Sequence, residues 1–227
     1  MEMLNKVALY AHIAAGFTAL IVGLIPMFSE KGGKTHRLAG KIFTICMLVV
    51  SFSAVWLVMF KGSSLFLFFI AILTFQSIYF GNRLVQMKGN IQAKWYDWLV
   101  AGVGFAAGLA MFYFAVKTLT TGSGVQLVSI LFFIFGIGLT VVGWRDVQLL
   151  RFPERDKFGK HAWFFGHLVR MMTAYIATLT AFFVVNVGHV SQNFYFDLAA
   201  WILPGVVLGG GVTRQMVINW RKKFKMT

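Results

Sequence analysis

Histidines and one arginine are the side chains of this sequence best suited to bind a metal or an anion. Neutral imidazole is a ligand of many transition metals and an axial ligand of haem iron. Ionisable residues within membrane-spanning stretches are costly and default to functional candidates. The stretch HAWFFGHLVRMMTAYIATLTAFFVVNVGH holds three of the five histidines and one arginine in largely apolar surroundings. The residues concerned are His12, His36, His161, His167, His189 and Arg170.

The histidines are predicted to fall into two layers, one near each membrane face. Helical side chains lean toward the N-terminus of their helix, which turns His12 outward and His189 back toward the membrane. On the cytoplasmic side, His36 is expected to meet His161 or His167. Two such layers would suit two haem b groups, with His12 and His167 as the first candidates for iron ligands. Another metal, interfacial hydrogen bonding and a substrate contact are the alternatives.

Arg170 is the costliest residue within an apolar segment, because an arginine at a bilayer centre costs about 2.5–3.5 kcal/mol. It shares a helix face with His167 at a spacing of three residues. Three roles remain open: an ion pair with Asp97 or Asp146, a contact to an anionic group such as a haem propionate or a substrate carboxylate, and snorkelling to the cytoplasm.

Seven apolar segments must position these residues. The chain has 227 residues, 59% of them hydrophobic and 12% charged, with mean hydropathy +0.76. Segments of about 20 apolar residues match the length a helix needs to cross a bilayer. The sequence predicts an all-α polytopic bundle forming a single domain. Its predicted spans are 7–28, 38–60, 64–84, 95–116, 124–144, 162–187 and 196–215.

Basic residues indicate the orientation. Of 21 Lys and Arg, seventeen fall in the first, third and fifth connections and the C-terminal tail, and only Lys6, Lys61 and Lys117 fall on the other side. This asymmetry predicts an external N-terminus and a cytoplasmic C-terminus. The net charge of +14 is thus interpreted as a topology signal and an attraction to anionic lipid head groups, rather than nucleic-acid binding. A multi-pass protein of a bacterial inner membrane is expected.

Small residues suggest where helices pack closely. Gly104 and Gly108 form a GxxxG face in the fourth span, and such faces allow helix backbones to approach. The seventh span carries Pro204 followed by glycines up to Gly211. A kink is expected there, and its glycines are interpreted as tight packing or, alternatively, as a transporter hinge.

Two motifs resemble a bacterial family of predicted membrane proteins, the domain of unknown function 2306. GGKTHRLAGKIF, after a first span with His-x3-Gly, is similar to its KGxxHRxxG signature, and HLVRMMTAYIATLTAFFVVN is similar to a later motif. The resemblance implies no activity. Its signature positions here are His12, His36, Arg37, Gly40, His167, Arg170 and Asn186.

Three functions are compatible with these features. The first is a haem-binding or redox membrane protein. The second is a small-solute transporter or sensor with Arg170 as an anion contact. The third is a membrane scaffold without chemistry. HExxH, GxSxG and Walker-type motifs are absent from the sequence, which leaves an enzymatic role without a recognisable active site.

Overall fold

The computed structural model describes residues 1–62, 64–88, 92–121, 127–153, 158–187 and 193–226. Seven helical segments within these ranges are long and apolar enough to cross a membrane, which confirms the predicted all-α seven-span architecture. The helices are α1 Glu2–Phe28, α2 Lys34–Lys61, α3 Leu65–Gln86, α4 Trp95–Thr120, α5 Leu127–Arg151, α6 Ala162–Val187, α7 Phe194–Pro204 and α8 Arg214–Lys223. A π-helical segment, Gly205–Thr213, joins α7 to α8 into one seventh span, Phe194–Lys223.

Most helices are longer than their apolar segments. The helix α1 begins at Glu2 rather than at residue 7, and the Glu2 and Lys6 side chains pair at 2.8 Å in its first turns. Apolarity marks only the part of a helix that lies in hydrocarbon, whereas backbone hydrogen bonding continues into the polar ends. The predicted start of the fifth span, Gly124, lies outside the described residues.

The helix α3 is the centre of the bundle. In its most apolar stretch 61% of residues are buried, against 39% or less in the other six spans. Its N-terminal half forms a core with α4 and α5 that includes Phe66, Phe69 and Phe132, and its C-terminal half packs with α1, α2 and α6. Polar side chains on α3 are therefore placed to meet partners on several helices.

The GxxxG face of α4 packs closely. A Cβ at Gly104 would lie 1.8 Å from Gln76 Oε1, and one at Gly108 would lie 2.4 Å from the backbone nitrogen of Thr140.

The glycines of the seventh span are packed less closely than those of the GxxxG face of α4. A Cβ at Gly205, Gly210 or Gly211 would meet no atom within 4 Å, so tight packing is the wrong interpretation for these three. After Pro204 the chain forms the nine-residue π-helix, in which Thr213 Oγ1 donates to Leu208 O at 2.7 Å.

Candidate functional site

His36 and His167 lie side by side. His36 is in the first turn of α2, and His167 is in the second turn of α6. Their ring centres are 6.3 Å apart with an angle of 60° between the ring planes. His161, the other candidate for this layer, stacks instead on Phe224 with ring centres 4.2 Å apart. The structure thus brings together one histidine from each of the two sequence motifs.

Backbone carbonyls hold both imidazoles by the same ring nitrogen. His167 Nδ1 donates to Gly81 O at 2.7 Å, and His36 Nδ1 donates to Pro26 O at 3.2 Å. A carbonyl oxygen can only accept, so each Nδ1 carries the hydrogen. In the neutral rings, Nε2 therefore has its lone pair available for a metal or a proton.

Lys31 completes the surroundings of His36. Its ammonium donates to Pro26 O at 2.5 Å and to Met27 O at 2.9 Å, carbonyls at the C-terminal end of α1 that have no amide partner within the helix. Partial burial lowers the pKa of the Lys31 side chain below its ordinary value. The histidine pair thus lies beside a half-buried cation.

Gly40 follows His36 by one helical turn and leaves space on that face of α2. A Cβ at Gly40 would meet nothing within 4 Å, although the residue is half-buried. Arg37, between the two, is exposed. Asn186 is also exposed, and its amide donates to Phe182 O at 2.7 Å in the last turns of α6. Arg37 and Asn186 therefore do not join the histidine pair.

Arg170 points into the bundle and pairs with Asp146. A guanidinium nitrogen donates to Asp146 Oδ1 and, at 3.2 Å, to Val142 O. Gln76 Nε2 donates to the other carboxylate oxygen at 2.7 Å. The Asp146 side chain is 1% exposed and that of Arg170 is 10% exposed. Of the three roles predicted for Arg170, the structure shows the ion pair, and Asp146 is the partner.

Asp97 belongs to a second polar cluster, at the C-terminal end of α3 and the N-terminal end of α4. Arg83 binds both of its oxygens, at 2.9 and 3.1 Å, and the Tyr79 hydroxyl donates to one of them. Asp97 also accepts from the Lys94 amide at 2.8 Å, capping α4. In the sequence, Arg83 counts only among the basic residues of the third connection, and its pairing with Asp97 was not predicted. An aspartate in the first turn of a helix was the available clue to a cap.

His12 has a partner on the neighbouring helix. Its Nδ1 lies 3.0 Å from Ser53 Oγ, and Ser53 in turn donates to Val49 O at 2.6 Å. The hydroxyl hydrogen of Ser53 is used in the bond to Val49 O. His12 Nδ1–H therefore donates to Ser53 Oγ. His189, the predicted partner of His12, lies outside the described residues, and the outer histidine layer stays a prediction.

A conventional metal site is not present among the described residues, where no group of three or more His, Cys, Asp or Glu side chains is placed to hold an ion. Gln76 Oε1, on the side chain that donates to Asp146, is buried without a hydrogen-bond partner. No family model, curated protein or solved structure matches the chain.

Proposed function

We propose that this integral membrane protein binds haem b through His36 and His167 and takes part in one-electron transfer at its cytoplasmic face. The observation that carries the proposal is the shared tautomer of the two rings, each with Nδ1–H bound to a backbone carbonyl. Metal-ligating histidines almost always donate their second ring N–H in this manner, which fixes the ring and raises the basicity of Nε2.

The ring separation suits one metal between the two imidazoles. Two metal–nitrogen bonds of about 2.0–2.1 Å, with half a ring added at each end, span about 6 Å. The observed distance between ring centres is 6.3 Å. The distance between the ring centres would thus allow His36 and His167 to hold one metal ion between them.

The number of ligands favours haem over a bare ion. Zinc sites in proteins generally have three or four protein ligands, and no such group occurs among the described residues. Haem brings its own equatorial nitrogens and leaves the axial positions to the protein. The open face at Gly40, one turn from His36, supports a flat group lying against α2.

An optical spectrum tests the proposal. Protein purified in mild detergent from haem-replete cells should show a Soret band and an α band that sharpens on reduction. His36→Ala and His167→Ala should each abolish both bands, whereas His161→Ala should retain them because its ring stacks on Phe224. A colourless wild-type protein that is folded and was produced in haem-replete cells would refute haem binding.

Transport or sensing of a small anion is the second candidate. Its support is the ion pair of Arg170 and Asp146, beside the buried Gln76 Oε1 that has no hydrogen-bond partner. In this function an anion would replace Asp146 at the guanidinium. Arg170→Lys should then abolish uptake or ligand-induced stabilisation while the protein still inserts. If Arg170→Lys changes neither uptake nor ligand-induced stabilisation, transport through Arg170 is refuted and a scaffold role is the remaining alternative.

We further propose that the protein lies in a bacterial inner membrane, with its basic ends against anionic lipid head groups on the cytoplasmic side. Membership of the domain of unknown function 2306 family is part of the same proposal, supported by the two sequence motifs that contain His36 and His167.

A further inference from the structure

A groove runs along the C-terminal half of the seventh span. It is shallow and open, with a volume of about 420 Å³. This span is the least covered of the seven, with 6% of its most apolar stretch buried. The lining residues are Val207, Gly211, Val212, Gln215, Met216 and Asn219.

The groove is apolar at the end nearer the N-terminus of the span. Gly211 contributes no side chain, and a Cβ there would meet no atom within 4 Å. Val207 and Val212 are 52% and 40% exposed, and Met216 is half-buried. Aliphatic walls around an open glycine fit a flexible hydrocarbon chain, which packs by dispersion and needs no polar partner.

Amides line the other end of the groove. Gln215 Nε2 donates to Asn219 Oδ1 at 2.9 Å, and both side chains are exposed. The pair still has unused donors and acceptors, because each primary amide offers two N–H groups and one oxygen. Amides near hydrocarbon are costly without partners, and the ester groups of a lipid lie at the depth where such partners occur.

Cations follow directly after the amides. Lys222 and Lys223 are exposed, and the Lys223 ammonium lies 4.4 Å from the centre of the Trp220 ring. The sequence after Asp197 contains no acidic residue. The charge at this end of the groove is therefore not balanced by carboxylates of its own segment, and it suits a phosphate.

We propose that this groove binds one anionic phospholipid. The acyl chain lies along Val207, Gly211 and Met216. The ester groups meet the amides of Gln215 and Asn219, and the phosphate meets Lys222 and Lys223. The succession of apolar, amide and cationic side chains matches the order of groups along a phospholipid, and a general basic surface would not require the apolar end.

Native mass spectrometry of the full-length protein, titrated with phosphatidylglycerol or phosphatidylcholine, tests this site. Phosphatidylglycerol should be retained as one tightly bound copy, and inorganic phosphate should not displace it. Lys222→Gln with Lys223→Gln should weaken retention about tenfold or more. Gly211→Leu, which fills the groove and keeps the charge, should weaken it comparably.

Two control variants separate the groove from general charge and general surface. Lys34→Gln with Lys41→Gln removes two exposed basic residues of α2, and Gly138→Leu fills an open, exposed glycine position of α5. Both should bind phosphatidylglycerol like the wild type. Equal retention of the two lipids, or an equal loss in the controls, would overturn the proposal. If Gly211→Leu does not insert, Met216→Ala supplies the test of the apolar end.

Discussion

Asp146 on α5 and Arg170 on α6 form an ion pair on which Gln76 of α3 also converges. The side chains are 1% and 10% exposed, so both charges are removed from water and depend on each other. Removing one partner of such a pair leaves an unpaired buried charge, which is far worse than losing the pair altogether. This asymmetry makes the cluster testable by substitution.

Asp146→Ala should lower the free energy of unfolding by about 3–5 kcal/mol, measured by reversible unfolding in mixed detergent and SDS micelles. The matched control is Lys6→Ala at the exposed Glu2–Lys6 pair, where the loss should be about 1 kcal/mol or less. Replacing both members, Asp146→Leu with Arg170→Met, should recover much of the loss. A double variant as unstable as the sum of both single variants would contradict a coupled pair.

Gly104→Ala should destabilise the protein by about 1–3 kcal/mol or more, because its Cβ would lie 1.8 Å from Gln76 Oε1. Gly102→Ala on the same helix meets nothing within 4 Å and should change stability by no more than about 1 kcal/mol. The same unfolding assay measures both. Equal effects of the two substitutions would mean that α3 and α4 do not approach as closely as described.

Tyr79→Phe should cost about 1.5–3 kcal/mol, the contribution typical of a hydrogen bond to a charged group. The Tyr79 hydroxyl donates to Asp97, a carboxylate that is 0% exposed. Tyr113→Phe provides the control, because that residue is 63% exposed on α4. The comparison is made by thermal unfolding in detergent. A silent Tyr79→Phe would show that Arg83 and the Lys94 amide satisfy Asp97 without the phenol.

Reporter fusions should confirm the orientation that the basic residues predict. Alkaline phosphatase fused after Gly62, between α2 and α3, should be active because that connection is predicted to lie outside. Green fluorescent protein fused after Met226 should fluoresce, because the tail carrying Lys222, Lys223 and Lys225 is predicted to be cytoplasmic. The reverse pattern at both positions would invert the topology and place the histidine pair at the external face.

Part of the candidate site followed from local patterns. The apolar segments predicted the seven spans, and the helical period placed His167 and Arg170 on one inward face. Asp146 was one of two expected counter-ions. Which of Asp97 and Asp146 pairs with Arg170 depended on the packing of α3. Arg83 of α3 binds Asp97, so Asp146 is the carboxylate that remains for Arg170.

By itself, the sequence determined the membrane class, the number of spans and their predicted direction, because hydrocarbon thickness and interfacial charge act on every segment separately. Only the tertiary structure decided that His36 meets His167 while His161 stacks on Phe224. It also decided that Gly104 meets Gln76 whereas Gly211 opens to the surroundings of the bundle. These outcomes depend on which helices are neighbours and how each is rotated, and the physical forces that set both act between segments distant in the chain.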